Sequence, residues 1–118
     1  IVPHLAGVRK AGDPAVSRSI EMGRKAHKML QDAMSAFAAE DEAAAKAVID
    51  ADDAVDYDFN SIKRMLAAEI AADPSKVDAA LDVLMVIKYL ERIGDHAVNI
   101  AEWVEFLRTG RYHHEKMF

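Results

Sequence analysis

Apolar residues recur along most of the chain at alternating steps of three and four, the spacing that gathers them on one face of an α-helix. Three such stretches are separated by short breaks near residues 39–41 and 72–74. No segment of four to eight residues has the pattern of a strand. The sequence therefore predicts an all-α fold of three helices, and the short links predict that consecutive helices are antiparallel.

The first predicted helix begins at Asp13-Pro14, where the aspartate can cap the first turn and proline tolerates the first helical position. We expect its core-facing seam to contain His27 as a packed or partly buried residue, with Met22, Met29 and Met34 as core filling. The predicted seam of this helix consists of Val16, Ile20, Gly23, His27, Leu30, Met34 and Phe37.

The second predicted helix has Asp41 as its cap, and its seam contains one charged residue, Asp52. Asp73-Pro74 repeats the start signal, and the third helix is expected from about Ser75 to Arg108. The prediction is an antiparallel up-down-up three-helix bundle over residues 13–118, after an N-terminal extension or linker at residues 1–12. The seam of the second helix consists of Ala45, Val48, Asp52, Val55, Phe59, Ile62 and Leu66.

Composition agrees with a helical domain and excludes several classes of site. The 118 residues are 52% hydrophobic, enough for one core, with only five glycines and three prolines. The absence of cysteine excludes disulfides and thiolate metal sites. A metal ion would therefore have to be bound by oxygen or imidazole.

Charge and hydropathy indicate which partners and which cellular location to expect. The net charge of −5 argues against non-specific binding to nucleic acid, which requires the neutralisation of phosphates. No apolar run approaches the roughly 20 residues that span a bilayer, and no signal-peptide pattern is present. We expect a cytoplasmic location. Because the sequence begins at Ile1 without methionine, we also expect a processed product or a piece of a longer chain.

Two acidic pairs stand out, Asp52 with Asp56 and Glu91 with Asp95. Side chains four residues apart lie about 6 Å from each other along a helix, so their like charges repel, and a multivalent cation would relieve that repulsion. The alternative is a solvated acidic face, with Lys88 in a salt bridge to Asp52 or Glu91. Spacing alone leaves both open.

Other residues near the acidic pairs also have two interpretations. Gly94 lies between Glu91 and Asp95, where a mid-helix glycine indicates either close helix contact or access for a ligand. Asp53, Asp56 and Asp58 can be ordinary surface charge. Glu102 extends the polar edge of the third helix, where a solvated flank is the simpler interpretation.

The segment ERIGD at residues 91–95, followed by HAVNIAEW, resembles the third-helix signature of the PhoU family of phosphate-uptake regulators. DDAVD at residues 52–56 resembles the partner motif on the preceding helix, and RTGRYHHEKMF resembles the family's C-terminal tail. The resemblance covers Asp13 to the end of the chain. It implies a single PhoU-like repeat, whereas family members usually have two.

The resemblance also implies a site and a function. Asp52, Asp56, Glu91 and Asp95 match the family's acidic motifs and would be the ligands of a metal cluster, with iron or zinc expected and other divalent ions as further candidates. PhoU-like proteins are not enzymes. They act as adaptors between the ATPase subunit of the phosphate ABC transporter and a sensor histidine kinase, and they repress the phosphate-starvation response. The chain would approach the membrane only through these partners, and a homo-oligomer is a further expectation.

Three rival functions remain open at the level of sequence. A ferritin-like di-metal oxidase would use Glu-x-x-His motifs, which this chain lacks. A phosphotransfer module would need an exposed imidazole at His27 or His96. A plain helical interaction module would leave the acids solvated. His96 and Asn99 are candidate additional ligands, although a capped or packed histidine is the expected interpretation of His96.

Overall fold

The computed structural model describes residues 13–109, which form three α-helices. They are α1, Pro14–Ala39, α2, Glu42–Ala72, and α3, Val77–Thr109, with one turn of 3-10 helix, Pro74–Lys76, before α3. No strand occurs within residues 13–109, which confirms the all-α prediction. The predicted extension at residues 1–12 and the tail at residues 110–118 lie outside the described residues.

The three predicted aspartate caps are all present. The Asp13 carboxylate accepts a hydrogen bond from the backbone N–H of Ala15 at 2.8 Å, and Asp41 accepts one from Ala44 at 3.1 Å. Asp73 accepts from the Ser75 N–H at 3.1 Å and from its hydroxyl at 2.6 Å. These bonds satisfy amides that a helix start leaves without intrahelical partners, and they fix the first turns near the expected residues.

The predicted seam of α2 is confirmed. Its apolar members, from Ala45 to Leu66, are buried, and Asp52 is partly buried among them. The apolar face of α3 is buried along its centre, while Leu107 near its end is 57% exposed. The buried residues of that face are Val83, Ile87, Gly94, Ala97, Ala101 and Val104.

The predicted seam of α1 is wrong by one position. Ile20, Met34 and Phe37 are 51%, 59% and 49% exposed, and His27 is exposed as well. The core instead receives a neighbouring stripe of small and flexible residues, which allows the helices to approach closely. That stripe consists of Ala15, Met22, Ala26, Met29, Ala33 and Ala36.

Contacts between the helices create three grooves. Gly23 of α1 lies against Leu90 of α3, and Phe37 lies with Leu107 at the far end of the same pair of helices. α1 is joined to α2 by an ion pair between Lys25 and Asp58. α2 and α3 pack together at several points, among them around Gly94. Each helix therefore packs against both of the others.

Candidate metal centre

The four predicted ligands share the groove between α2 and α3, which we call the acidic groove. Asp52 and Asp56 project from α2, and Glu91 and Asp95 project from α3. The charge of Asp95 acts on each of the other three carboxylates, and that of Asp56 also acts on Glu91. Asp95 is exposed and the other three are partly buried. The structure therefore brings the two acidic pairs together.

Asp52 has the most unusual environment of the four. Its Oδ1 is buried and has no hydrogen-bond partner among the described residues, while its carboxyl shares a side-chain hydrogen bond with Asp56. Burial, followed by the charges of Asp56 and Asp95, raises the pKa of Asp52 to about 6. A carboxylate with a buried, unpaired oxygen is under pressure to acquire a proton or a cation.

Burial and neighbouring charge also raise the pKa of Asp56 and of Glu91. Burial is the larger cause in both, and the charge of Asp95 adds to it. At Glu91 the ammonium groups of Lys88 and Lys63 act in the opposite direction. The four carboxylates therefore repel one another, and the two lysines offset that repulsion only in part.

The salt bridge of Lys88 with Asp52 or Glu91, the alternative that spacing left open, is not formed between these described residues. The Nζ of Lys88 lies 5.7 Å from the centre of the Phe59 ring, and that of Lys63 lies 5.8 Å from it. Both ammonium groups are thus placed for cation–π interactions with one ring. Neither lysine neutralises the carboxylates by direct contact.

Gly94 is buried where the three helices meet. A Cβ placed on it would lie 3.5 Å from Asp52 Oδ1, 3.6 Å from Val55 Cγ1 and 3.9 Å from Met29 Sδ. The glycine therefore serves close helix contact, and it also leaves space beside the unpaired oxygen of Asp52. The two interpretations of Gly94 that the sequence offered describe the same position.

The donor set fits a hard multivalent cation in charge and in ligand type, since such ions take several carboxylate oxygens. The unpaired Asp52 oxygen and the raised pKa values of three carboxyls support this fit. As the side chains stand within residues 13–109, no three acidic or imidazole groups converge tightly enough to hold an ion. Binding would require carboxylate side chains to turn toward it. His96 is exposed, so its expected packing is wrong, and Asn99 is partly buried.

Comparison with known proteins decides the family. The family model described as "PhoU domain" matches residues 20–104, which contain all four carboxylates. This chain belongs to the PhoU family. No helix within residues 13–109 is both long enough and apolar enough to cross a membrane.

Several curated relatives are similar in sequence to this chain, and each is named a phosphate-specific transport system accessory protein PhoU homolog. The Caulobacter vibrioides relative is 42% identical over 97 residues, which cover 81% of this chain and 42% of the relative. The Pseudomonas aeruginosa relative is 38% identical over 89 residues, covering 75% of this chain and 37% of the relative. The chain thus spans about two fifths of the length of these relatives. No solved structure matches it.

Sequence reasoning missed all three buried acids among the described residues of this PhoU domain, Asp58, Glu102 and Glu105. Asp58 is only 6% exposed and accepts a hydrogen bond from Lys25 Nζ at 2.8 Å, so its interpretation as surface charge is wrong. Glu102 is 2% exposed, so it is not a solvated flank. The partner of Asp58 lies 33 residues away in the sequence, so no local pattern on α2 could predict this ion pair.

Proposed function

We propose that this chain is a metal-binding, non-catalytic regulatory domain for phosphate uptake and phosphate-starvation signalling in the cytoplasm. It would act as an adaptor between the ATPase subunit of a phosphate ABC transporter and a sensor histidine kinase. The proposal includes the up-down-up order of the three helices. It rests on membership of the PhoU family, whose curated relatives are named for the phosphate-specific transport system.

The observation that carries the metal-binding part is the electrostatic condition of the acidic groove. Four carboxylates from two helices repel one another, and one of them keeps a buried oxygen without a hydrogen-bond partner among the described residues. A bound multivalent cation supplies positive charge that cancels this repulsion. Iron or zinc is the proposed metal, with other divalent ions as alternatives. The ligands would be Asp52, Asp56, Glu91 and Asp95.

Asp52 and Asp95 would have distinct parts in holding the ion. Asp52 offers an oxygen that is already stripped of water, so its binding to a cation carries little further desolvation cost. Asp95 is exposed and stands where an ion would enter from solvent. Because the ligands come from α2 and α3, an ion would tie these helices together without any ligand from α1.

Metal analysis tests this proposal. The purified chain, loaded with iron or zinc and desalted, is expected to retain metal, as measured by mass spectrometry of the elements. The variant Glu91→Ala, Asp95→Ala should lose it. Asp50→Asn, which removes an exposed carboxylate from α2 outside the four ligands, is the matched control and should retain metal. Equal metal content in all three proteins, or none in any, would refute the metal-binding part.

The adaptor part is tested by binding to purified partners. The chain should bind a phosphate-transporter ATPase subunit and the cytoplasmic part of its sensor kinase, as measured by isothermal titration calorimetry. The Glu91→Ala, Asp95→Ala variant separates the two parts of the proposal, because it reports whether partner binding depends on metal. Absence of binding to both partners by the metal-loaded chain would refute the adaptor role.

The di-metal oxidase is the rival that shares the metal prediction. Oxygen consumption after addition of ferrous iron distinguishes the two, because a non-catalytic regulator should consume no more oxygen than its Glu91→Ala, Asp95→Ala variant. Catalytic turnover above that control would favour the oxidase and would overturn the proposed non-catalytic role.

A further inference from the structure

The groove between α2 and α3 changes in character as it approaches the turn at residues 72–74. Beyond the four carboxylates it carries the ammonium groups of Lys63 and Lys88, and then a cavity of about 150 Å³. The described lining of this aliphatic cavity contains one charged residue, Lys63. The larger aliphatic residues that line it are Leu66, Ile70, Leu81 and Leu84.

Lys63 and Lys88 place two like charges beside one aromatic ring. Their Nζ atoms lie 5.8 Å and 5.7 Å from the centre of the Phe59 ring, which belongs to the core. Neither lysine forms an ion pair within residues 13–109. A cation–π interaction at an exposed site contributes only about 0.5–1 kcal/mol and leaves the positive charge uncompensated. A carboxylate from another molecule would therefore meet two charged donors that one ring already positions.

The chain's own Glu91 does not occupy this place. Burial raises the pKa of Glu91, and the charges of Lys88 and Lys63 act against that shift, so all three groups influence one another. No ion pair joins Glu91 to either lysine in the described part of the chain. Glu91 therefore competes with an external carboxylate for the two lysines but does not block it.

We propose that Lys63, Lys88 and the aliphatic cavity form a docking site for a helix of a partner protein that carries leucine and glutamate on one face. A groove between two helices suits an amphipathic helix, and a cavity of about 150 Å³ can hold benzene, so it has room for one such side chain. Phe59 and Ala67, which lines the cavity, are eight positions apart on α2, about 12 Å along its axis. Leucine and glutamate two turns apart on the partner helix would reach both features.

This inference deepens the proposed adaptor role and rests on it, because it assigns the surface on which a partner protein docks. The size of the cavity favours a protein side chain over the long acyl chain of a lipid. The two lysines favour an acidic partner over a second copy of this chain docked through a basic surface. Membrane binding and self-association are therefore outcomes that the test must separate from docking of an acidic helix.

Fluorescence anisotropy with a synthetic peptide tests the site. The probe is a labelled, alanine-rich peptide of about 16 residues, long enough to be partly helical, with leucine and glutamate seven positions apart on one face. The control peptide has the same composition, with glutamate moved to the opposite face. The natural chain should bind the probe with a micromolar dissociation constant and the control at least roughly tenfold more weakly. All samples contain a chelator, so that a bound metal ion does not attract the glutamates.

Variants of the chain assign the binding to the two features. Lys63→Gln combined with Lys88→Gln should weaken binding of the probe roughly tenfold or more, and so should Leu81→Gln in the cavity. Lys28→Gln combined with Lys46→Gln removes the same charge from exposed positions outside the site and should leave binding nearly unchanged. Circular dichroism should show unchanged helicity in the lysine variants, since all four lysines are exposed or partly exposed.

A variant that strengthens binding provides the sharpest check. Glu91→Gln removes the competing carboxylate and should tighten binding of the probe about two- to threefold, whereas Asp50→Asn, the same change of charge elsewhere on α2, should not. The proposal is overturned by equal binding of the two peptides, or by equal losses in the two pairs of lysine variants. It is also overturned if the natural chain binds phosphatidylglycerol vesicles at lower concentrations than the probe, or if the two site lysines are needed for self-association in sedimentation equilibrium and not for binding of the probe. Because the probe is a peptide, its binding is measured independently of the ATPase subunit and the kinase. Failure of those partners to bind would refute the adaptor role and leave the peptide result standing.

Discussion

Asp52 occupies a position in the α2 seam that would ordinarily hold an apolar residue. Its neighbours in the seam, Val48 and Val55, are buried at 2% and 0% exposure, and its own carboxyl is partly buried. The position withdraws the carboxyl from water and places it near Asp56 and Asp95. Both effects favour the protonated form, so the residue couples the stability of the bundle to pH and to cations.

The metal-free chain should become less stable as pH rises from about 4 to about 6. The pKa of Asp52 is about 6 in the folded chain against 3.8 for a free side chain, so the folded state binds more protons in this window. Stability that protonation supplies below this window is lost as pH rises through it. We expect a loss on the order of 1 kcal/mol, because partial exposure of the site screens the repulsion.

Thermal unfolding in a chelator measures this effect. Asp52→Asn is the comparison, because it removes the charge while keeping the shape of the side chain. The difference in melting temperature between the natural chain and Asp52→Asn should widen with increasing pH across the window. Parallel melting curves at every pH would contradict the assignment of this pH dependence to Asp52.

Gly94→Ala should stabilise the metal-free chain and weaken metal binding. Alanine gains about 1 kcal/mol over glycine inside a helix, and the new methyl group would meet its neighbours at ordinary van der Waals distance. The same methyl group would lie 3.5 Å from Asp52 Oδ1, in the space beside a ligand oxygen. Chemical denaturation and metal analysis measure the two effects separately.

Gly23→Ala is the matched control for this prediction. Among residues 13–109, its methyl group would meet only Leu90, at 3.7 Å, on the other side of α3. It should give a similar gain in stability with no change in metal content. A loss of metal in both variants would show that the space beside Asp52 has no special role.

At the scale of elements, α1 and α2 are joined by a buried carboxylate. Asp58 is 6% exposed, and its partner Lys25 reaches it from α1. Lys25→Met should lower the free energy of unfolding by about 2 kcal/mol, because it leaves this carboxylate buried without its cation. Urea denaturation measures the change.

Two further variants interpret that result. Lys28→Met removes an exposed pair with Asp32 on the same helix and should change stability by less than about 0.5 kcal/mol. Lys25→Met combined with Asp58→Leu should recover most of the loss, since no unpaired charge remains. Failure of the double variant to recover stability would mean that packing, rather than charge, explains the loss.

The elements themselves could be predicted from the sequence, but the orientation of α1 could not. Caps at Asp13, Asp41 and Asp73 are local signals, and the bulky seam of α2 has a single apolar face. On α1, spacing identifies two adjacent stripes, and the larger side chains favour the wrong one. The expectation that large apolar residues face the core fails on α1, where Ile20 and Phe37 are about half exposed.

The candidate site could also be predicted only in part, because sequence patterns report relations within one helix and not those between helices. Spacing along one helix pairs Asp52 with Asp56 and Glu91 with Asp95, because those relations are local. That the two pairs meet depends on the stagger between α2 and α3, which no local pattern determines. The burial of Asp58 was equally hidden, since it depends on a lysine from another helix.

At the scale of the whole molecule, metal binding should raise the melting temperature. A ligand present at about 100 times its dissociation constant stabilises the folded state by about 2.7 kcal/mol, which for a domain of this size is on the order of 10 °C. Differential scanning calorimetry with and without chelator measures it. Asp50→Asn should retain the shift, and Asp52→Asn combined with Asp95→Asn should abolish it. An unchanged melting temperature after chelation would contradict the prediction.

α3 lines two grooves, the acidic groove that it forms with α2 and an apolar groove that it forms with α1. Glu91 and Asp95 line one flank of this helix, while Val86 and Leu90 line the other. A rotation of α3 about its long axis would therefore change both grooves together. A rotation of α3 that moves its carboxylates toward α2 would also change the width of the groove between α1 and α3. Binding of a ligand on one flank of the helix would therefore alter the shape of the other flank.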